Sequence, residues 1–350
     1  MPNAAWTTWQ CAVSVPTVAD RVAQTVAAME LESRVEPIFH PDSFGYRPRR
    51  SALDAVGVCR VRCWEFDWVV EIDIRRFFDS VPWDLIVKAV QVHCDLAWVV
   101  LYVKRWLAAP LVLPSGSLVD RDRGTPQGSA ISPVLANLFM HYAFDAWLAR
   151  EYPAVRFERY ADDAVLHCRT EHQARQVLAA LHERMAQVGL ELHPDKTRIV
   201  YCKDGSRRGT YDHTEFTFLG FTFRARGVRL KDGVMFTGFN PAVSKDALKK
   251  MGARVRAWRL HRRTLASEHD LARLINPVVR GWMQYYGAFY RSALYPLLAR
   301  INAYLMRWSR NKYKRLQGRK KAQAQWQQAV KLRPRFFAHW AWVNKLPAVW

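Results

Sequence analysis

The chain has 350 residues, half of them hydrophobic and 24% charged, which sets aside a disordered or fibrous protein and leaves material for about two domains. Lys and Arg total 53 against 31 Asp and Glu, a formal net charge of +22, far more than solubility requires and a pointer to a polyanionic partner. No apolar run approaches the length of a membrane span and no signal-type stretch opens the chain, so the expectation is a cytoplasmic protein without a membrane partner.

After a start with little pattern up to Pro16, Thr17 caps a helix in which Val18, Val22 and Val26 recur at helical spacing to about Val35. His40 to Pro48 (HPDSFGYRP) is a loop of turn formers, and Ala52 to Val61 reads as a second helix. Trp68 to Ile74 (WVVEIDI) changes period to a buried strand with Asp73 among apolar neighbours, and an ionised carboxylate there needs a partner or a cation. One long helix is expected from Pro82 to about Leu107, a Gly- and Pro-punctuated segment over Asp120 to Gly128, and a helix with a strongly apolar face over Ser132 to Trp147. Arg156 to Tyr160 and Ala164 to Cys168 are two strands of a hairpin carrying Ala161, Asp162 and Asp163 at its tip. A helix from Glu171 to Val188 stops at Gly189, and strands follow at Thr197 to Tyr201 and Phe216 to Phe223. From Pro241 the pattern is helical to near Leu332, with breaks near Leu265 and Ser292. The order describes an α+β body followed by an all-helical region.

The charge is not spread evenly. Residues 240–350 hold 24 Lys and Arg against three acids (Asp246, Glu268, Asp270), a net of +21, which leaves the preceding 239 residues at +1. Trp258, Trp282, Tyr285, Tyr286, Phe289, Tyr290, Tyr304, Trp308 and Tyr313 lie within that basic third, a mixture suited to phosphate neutralisation and base stacking. An amphipathic helix needs an apolar face first, so most of these rings are expected in a core.

Adjacent carboxylates repel unless a cation neutralises them. Taken alone, Asp162 and Asp163 read more readily as a plain turn; beside the strand of Asp73 they would bring three hard oxygen donors together. Such a set favours magnesium, and two ions about 4 Å apart serve in-line phosphoryl transfer. The six cysteines (Cys11, Cys59, Cys63, Cys94, Cys168, Cys202) show no spacing typical of a zinc site and read as reduced thiols.

Tyr160 to Asp163 spells Tyr-Ala-Asp-Asp, and four further segments stand in order around it: VEIDIRRFFD (Val70 to Asp79), GTPQGSAISPVLANL (Gly124 to Leu138), GLELHPDKT (Gly189 to Thr197) and FLGF (Phe218 to Phe221). Together they resemble the bacterial group II intron-encoded reverse transcriptase/maturase family over about residues 16–315. The resemblance implies a right-hand polymerase with fingers and palm over 1–235, a helical thumb or maturase domain over 236–318, and a basic tail over 319–350. It implies Asp73 and Asp162 as the principal ligands of two magnesium ions, with manganese able to substitute, and Asp163 as the third carboxylate. Phe78 matches the steric gate, Gln127, Gly128 and Tyr160 the surface for the incoming nucleotide, Lys196 a cation near the triphosphate, and Leu219 and Gly220 the primer grip. Asn276 to Tyr290 and Arg300 to Leu316 are similar to the thumb, with Arg280, Arg300, Arg307, Arg310, Lys312, Lys314 and Arg315 as RNA contacts. Implied partners are an intron RNA, an RNA template, primer DNA and deoxynucleoside triphosphates; a homo-oligomer is left open. The usual N-terminal extension and nuclease domain are not expected, and therefore no DNA cleavage. Where the family carries a basic fingertip, Trp9 to Val15 (WQCAVSV) has no Lys or Arg, so Arg21, Arg47 or another basic side chain would have to replace it. Three readings follow: an RNA-directed DNA polymerase acting with an intron, an RNA-binding splicing cofactor with weak polymerisation, and a domesticated enzyme in phage defence.

Overall fold

The computed structural model describes residues 16–112, 115–126, 128–229 and 232–344; the Trp9 to Val15 stretch, Cys11 and Gln127 lie outside them. Two compact units are present, residues 1–202 with 209–214, and 203–208 with 215–350. Among the described residues no helix is long and apolar enough to cross a membrane.

In the first unit, Thr17 accepts a hydrogen bond from the Asp20 amide and opens α1 (Val18–Val35), and a Ser51/Asp54 capping box opens α2 (Ala52–Glu65). Then come β1 (Trp68–Asp73), a single turn α3 (Phe77–Ser80), α4 (Trp83–His93), α5 (Ala97–Ala108), and the short pair β2 (Leu111–Val112) and β3 (Leu118–Val119). They are followed by α6 (Ser132–Met140), a π-turn (His141–Asp145), α7 (Ala146–Glu151), β4 (Arg156–Tyr160), β5 (Asp163–Cys168), α8 (Glu171–Gln187) and β6 (Arg198–Tyr201). The main sheet is antiparallel throughout, in the order β4-β5-β1-β6. Alternation sorts its faces: Val70, Ile72 and Leu166 join a core with Leu135 and Phe139 of α6, Val177 and Leu181 of α8, and Ile86 and Val90 of α4. α2 packs against β4 and β5.

The expected single helix from Pro82 to Leu107 is two helices. His93, Cys94 and Asp95 are weak helix formers, Cys94 turns extended as the C-cap of α4, and Leu96 restarts the chain as the N-cap of α5. The described cysteines Cys59, Cys63, Cys94, Cys168 and Cys202 are buried and not disulfide-bonded.

The second unit starts with a three-stranded sheet, β7 (Glu215–Phe218), β8 (Phe221–Arg229) and β9 (Met235–Val243), around the stacked rings of Phe216, Phe223 and Phe239. Phe216 to Phe223, expected as one strand, is thus a hairpin turning at Leu219 and Gly220. Strand structure also runs through Pro241, where a helix was expected to begin; β9 is an edge strand, the position in a sheet that tolerates proline. Helices α9 (Lys245–Ala257), α10 (Glu268–Tyr286), α11 (Tyr295–Lys312) and α12 (Arg319–Leu332) complete the unit around Val255, Ile275, Val279, Leu298, Ile301 and Leu305. Trp258, Trp308, Trp326 and Trp340 are buried in the same core, so the described part of 319–350 is folded into it.

Two buried asparagines clamp the segment after α12. Asn276 donates to the Phe336 carbonyl (2.9 Å) and accepts from the Ala338 amide (2.8 Å), while Asn302 donates to the Val343 carbonyl (2.9 Å). The Asn302 side-chain oxygen also pairs with Nε2 of the fully buried His339 at 2.6 Å.

Burial depresses the His339 imidazole to about 3, so it stays neutral in the fold. The unfolded chain takes up a proton at this residue below about pH 6.5, so its stabilising contribution is full above that value and falls as the pH drops toward 3. Urea unfolding followed by Trp fluorescence should show a loss of ~2 kcal/mol from this residue between about pH 7.5 and about pH 5. The pH dependence of His339→Gln should be shallower by that amount; equal slopes would show that His339 is not buried as a neutral group.

Candidate active site

β1 leaves the core at Asp73, which stands directly across the ladder from Asp163, the first residue of β5. Tyr160 ends β4 opposite the same Asp163, and Ala161, at φ +58°, turns the chain through Asp162 between them. The sheet register therefore brings all three acids to one end of the sheet. Asp73 is not sunk among apolar neighbours as expected: its side chain is 39% exposed, because the strand ends there. Burial raises the Asp162 carboxyl above its usual range, and the charge of Asp73 adds to the effect while Arg159 and Lys196 oppose it. Lys196 Nζ lies 3.0 Å from Asp73 Oδ2, an exposed pair of little net strength. Lys196 meets Asp73 and acts on Asp162, which leaves surplus negative charge on the hard oxygens at this end of the sheet, donors of the kind a magnesium-class cation takes.

Arg159 holds this turn from beneath. Its fully buried guanidinium donates twice to Asp145 (2.7 and 2.6 Å), once to Asn137 Oδ1 (3.1 Å), once to Ser43 Oγ (2.8 Å), and once to the carbonyl of Ala161 (2.9 Å) inside the turn. Asn137 in addition donates to the Gly45 carbonyl at 2.6 Å, and the Phe44 amide donates to the Arg159 carbonyl at 2.8 Å. The His40 to Pro48 loop is thereby laid along β4. A Cβ on Gly45 would fall 2.4 Å from the Ala161 nitrogen, so only glycine permits this approach. Sequence reasoning missed Gly45, Asn137, Asp145 and Arg159. The available signal was polar residues on an otherwise apolar helix (LANLFMHYAFD) and an arginine in a buried hairpin.

Phe77 takes the core position and leaves Phe78 half-buried beside it, the rings 5.3 Å apart and edge to face. The Phe78 carbonyl accepts from the Thr125 amide at 2.6 Å; Gly124, at φ +83°, approaches so closely that a Cβ would lie 2.7 Å from that carbonyl. Gly128 is exposed at φ +94°. Past it, Ser129 Oγ and the Ala130 amide donate to the buried Gln24 Oε1 of α1 (3.0 and 3.1 Å), a support the sequence did not reveal. Tyr160 is half-buried with its ring 6.0 Å from Tyr46. Of the two cations proposed to replace the fingertip, Arg21 is exposed. Arg47 is committed instead: it is 6% exposed, with Glu36 and the carbonyls of His40 and Ser43 taking its donors.

In the second unit, Leu219 and Gly220 both have positive φ (+50° and +79°), as a tight two-residue hairpin turn demands. Tyr285 Oη donates to the Leu219 carbonyl (2.9 Å), and Tyr286 Oη would lie 3.1 Å from any Cβ on Gly220. Arg280, Arg300, Arg307, Lys314 and Arg315 are exposed. Arg310 and Lys312 are half-buried and bonded to protein carbonyls, Arg310 Nε to Gln317 (3.1 Å) and Lys312 Nζ to Ala266 (2.6 Å).

Residues 2–223 match the family described as Reverse transcriptase (RNA-dependent DNA polymerase), and residues 248–326 match the group II intron, maturase-specific domain. The chain is similar to Protein YkfC of Escherichia coli strain K12, 29% identical over 232 residues, covering 55% of this chain and 60% of that protein. It is also similar to the Group II intron-encoded protein LtrA of Lactococcus lactis subsp. cremoris, 30% identical over 129 residues, covering 37% of this chain and 21% of LtrA. Among solved structures it is similar to telomerase from Candida albicans, with a TM-score of 0.45 and 13% identity over 94% of this chain and 57% of that one.

Removing one partner of a buried ion pair strands the other charge, at a cost of ~3–5 kcal/mol. Arg159→Met should lose about that much in urea unfolding, and pairing it with Asp145→Leu should recover a large part. If the single and double variants are equally destabilised, the Asp145 carboxylate is not what Arg159 balances.

Proposed function

The chain belongs to the reverse transcriptase (RNA-dependent DNA polymerase) family, and on that premise we propose that it copies RNA into DNA in the manner of group II intron enzymes, binds intron RNA and assists its splicing. The observation carrying this reading is the register that sets Asp73 opposite Asp163 with Asp162 in the adjoining turn. Members of the family normally use divalent metal ions; here Asp73, Asp162 and Asp163 would hold two magnesium ions, or manganese in their place, supplying charge stabilisation to the attacking and leaving oxygens.

The remaining side chains have positioning work. Phe78, held half-exposed by its neighbour Phe77, would press on the sugar of an incoming nucleotide and collide with a 2′-hydroxyl, favouring deoxynucleoside triphosphates. Gly128, with Gln127 before it, gives the nascent base pair a surface without a Cβ, and Tyr160 lies next to the acids. Lys196 can release its exposed bond to Asp73 and offset charge on the departing pyrophosphate. Leu219 and Gly220 would hold the primer end. Arg280, Arg300, Arg307, Lys314 and Arg315 offer exposed charge to RNA, whereas Arg310 and Lys312 would first have to surrender their carbonyls. A second reading is a splicing cofactor with weak polymerisation: Arg47 is locked in structural bonds and unable to stand in for a basic fingertip, which leaves the exposed Arg21 or another basic side chain for that part.

In a primer-extension assay on an RNA template, Asp73→Asn or Asp162→Asn should reduce extension on the order of a hundredfold or more while leaving RNA affinity roughly intact. Equal loss of extension and affinity would make the acids structural; an inactive parent chain with intact RNA affinity would favour the splicing reading.

RNA affinity should fall steeply with salt, because each neutralised phosphate releases counterions. Arg307→Ala and Lys314→Ala should each lower the slope of log affinity against log salt by roughly 1, without changing unfolding. An unchanged slope in the double variant would remove α11 and its C-terminal turn from the RNA surface.

A further inference from the structure

Beside the sheet, α2 sets Cys59 and Cys63 one helical turn apart on its buried side, facing β4 and β5. β5 adds His167 and the residue after β6 adds Cys202; all four side chains are fully buried. The spacing of Cys59 and Cys63 lacked a second pair of ligands in the sequence, and the fold supplies one from strands more than a hundred residues away. Ligand atoms of Cys59, His167 and Glu158 lie within 4.8 Å of one another. The Cys63 thiol is in contact with Cys59, Cys202 and His167.

The imidazole is the informative group. His167 Nε2 is held by Glu158 Oε2 at 2.6 Å, and Glu158 Oε1 takes Arg62 Nη1 at 2.6 Å. Its other nitrogen, Nδ1, is completely buried and makes no hydrogen bond. A histidine anchored through one ring nitrogen by a carboxylate, with the other buried and unbonded, has the arrangement of a metal ligand with its supporting carboxylate.

We propose that Cys59, Cys63, Cys202 and Nδ1 of His167 bind one zinc-class divalent ion, with Glu158 fixing the imidazole and Arg62 offsetting part of the charge. Thiolate and imidazole donors select zinc over magnesium, so this site and the three aspartates would not compete for one ion. A divalent ion displaces the thiol protons as it binds. Three thiolates and a neutral imidazole around a doubly charged ion leave one negative charge. Arg62, 17% exposed and bonded to both Glu158 and Asp42, offsets part of the negative charge that the site and these carboxylates carry together. The ion would tie α2 to the strands that carry the aspartate turn, and its role would be structural.

Metal analysis of the full chain, purified without chelator and dialysed against EDTA, should find about one zinc per chain. Cobalt added to the metal-stripped chain should give sulfur-to-metal charge-transfer and intense tetrahedral bands, lost in Cys59→Ser and in His167→Gln. Zinc content far below stoichiometric together with no such bands from cobalt in the unaltered chain would overturn the proposal, as would full retention of both in the variants. If the variants do not fold, cobalt spectra of the unaltered chain decide alone. These readouts are independent of primer extension, so failure here leaves the aspartate site untouched.

Discussion

The buried pair of Arg159 and Asp145 is the interaction on which the aspartate-bearing end of the first unit rests. One guanidinium meets a carboxylate from the π-turn, an amide from α6, a hydroxyl from the His40 to Pro48 loop and a carbonyl inside the aspartate turn. Desolvating two charges is expensive, and an apolar replacement of the same shape could be as stable. What an apolar side chain lacks is direction. The five donors of arginine are fixed in a plane, so four separate chain segments are located relative to one another by a single rigid group. The π-turn belongs to the same device: adding a residue to a helical turn changes which side chain faces inward, and here that side chain is Asp145.

Much of this architecture was legible because it follows from period and punctuation. Thr17 before a helical pattern, alternation in WVVEIDI and the Asp-Asp hairpin tip each gave an element close to where it lies. What stayed hidden depends on contacts remote in sequence. Apolar periodicity continues across His93 to Leu96 and masks the weak helix formers His93, Cys94 and Asp95, where the helix stops and restarts. Pro241 looked like a helix start, and only the knowledge that β9 is an edge strand makes it acceptable within a sheet. The acids of the site could be named from the sequence, whereas their support could not, since Gln24, Ser43 and Asn137 acquire meaning only through partners about a hundred residues away or on another element.

In the second unit, composition and structure answer different questions. Of the aromatic residues that suggested base stacking, Trp258 and Trp308 are buried in the core, and Trp282, Tyr286, Tyr304 and Tyr313 pack partly buried against it, with Trp258 stacked on Trp282 at 5.6 Å. Charge is what remains on the outside. An amphipathic helix sorts its residues this way, because burying a large ring contributes more than leaving it in water for an occasional ligand. Lys312 meets both kinds of partner: its ammonium lies 5.6 Å from the centroid of the Trp308 ring and donates to the Ala266 carbonyl.

Gly45 carries the last consequence. Its backbone torsion is one that any residue adopts, so the ban on a side chain there is purely spatial, set by the Ala161 nitrogen. A larger residue could be accommodated only if one of the two backbones withdrew, and the one in contact is the turn bearing Asp162. The loop thus acts as a gauge of the turn's height. For the evolving sequence, position 45 is closed to drift even though it touches no reacting group, and a change tolerated there would have to be accompanied by a resetting of the distance between the acids.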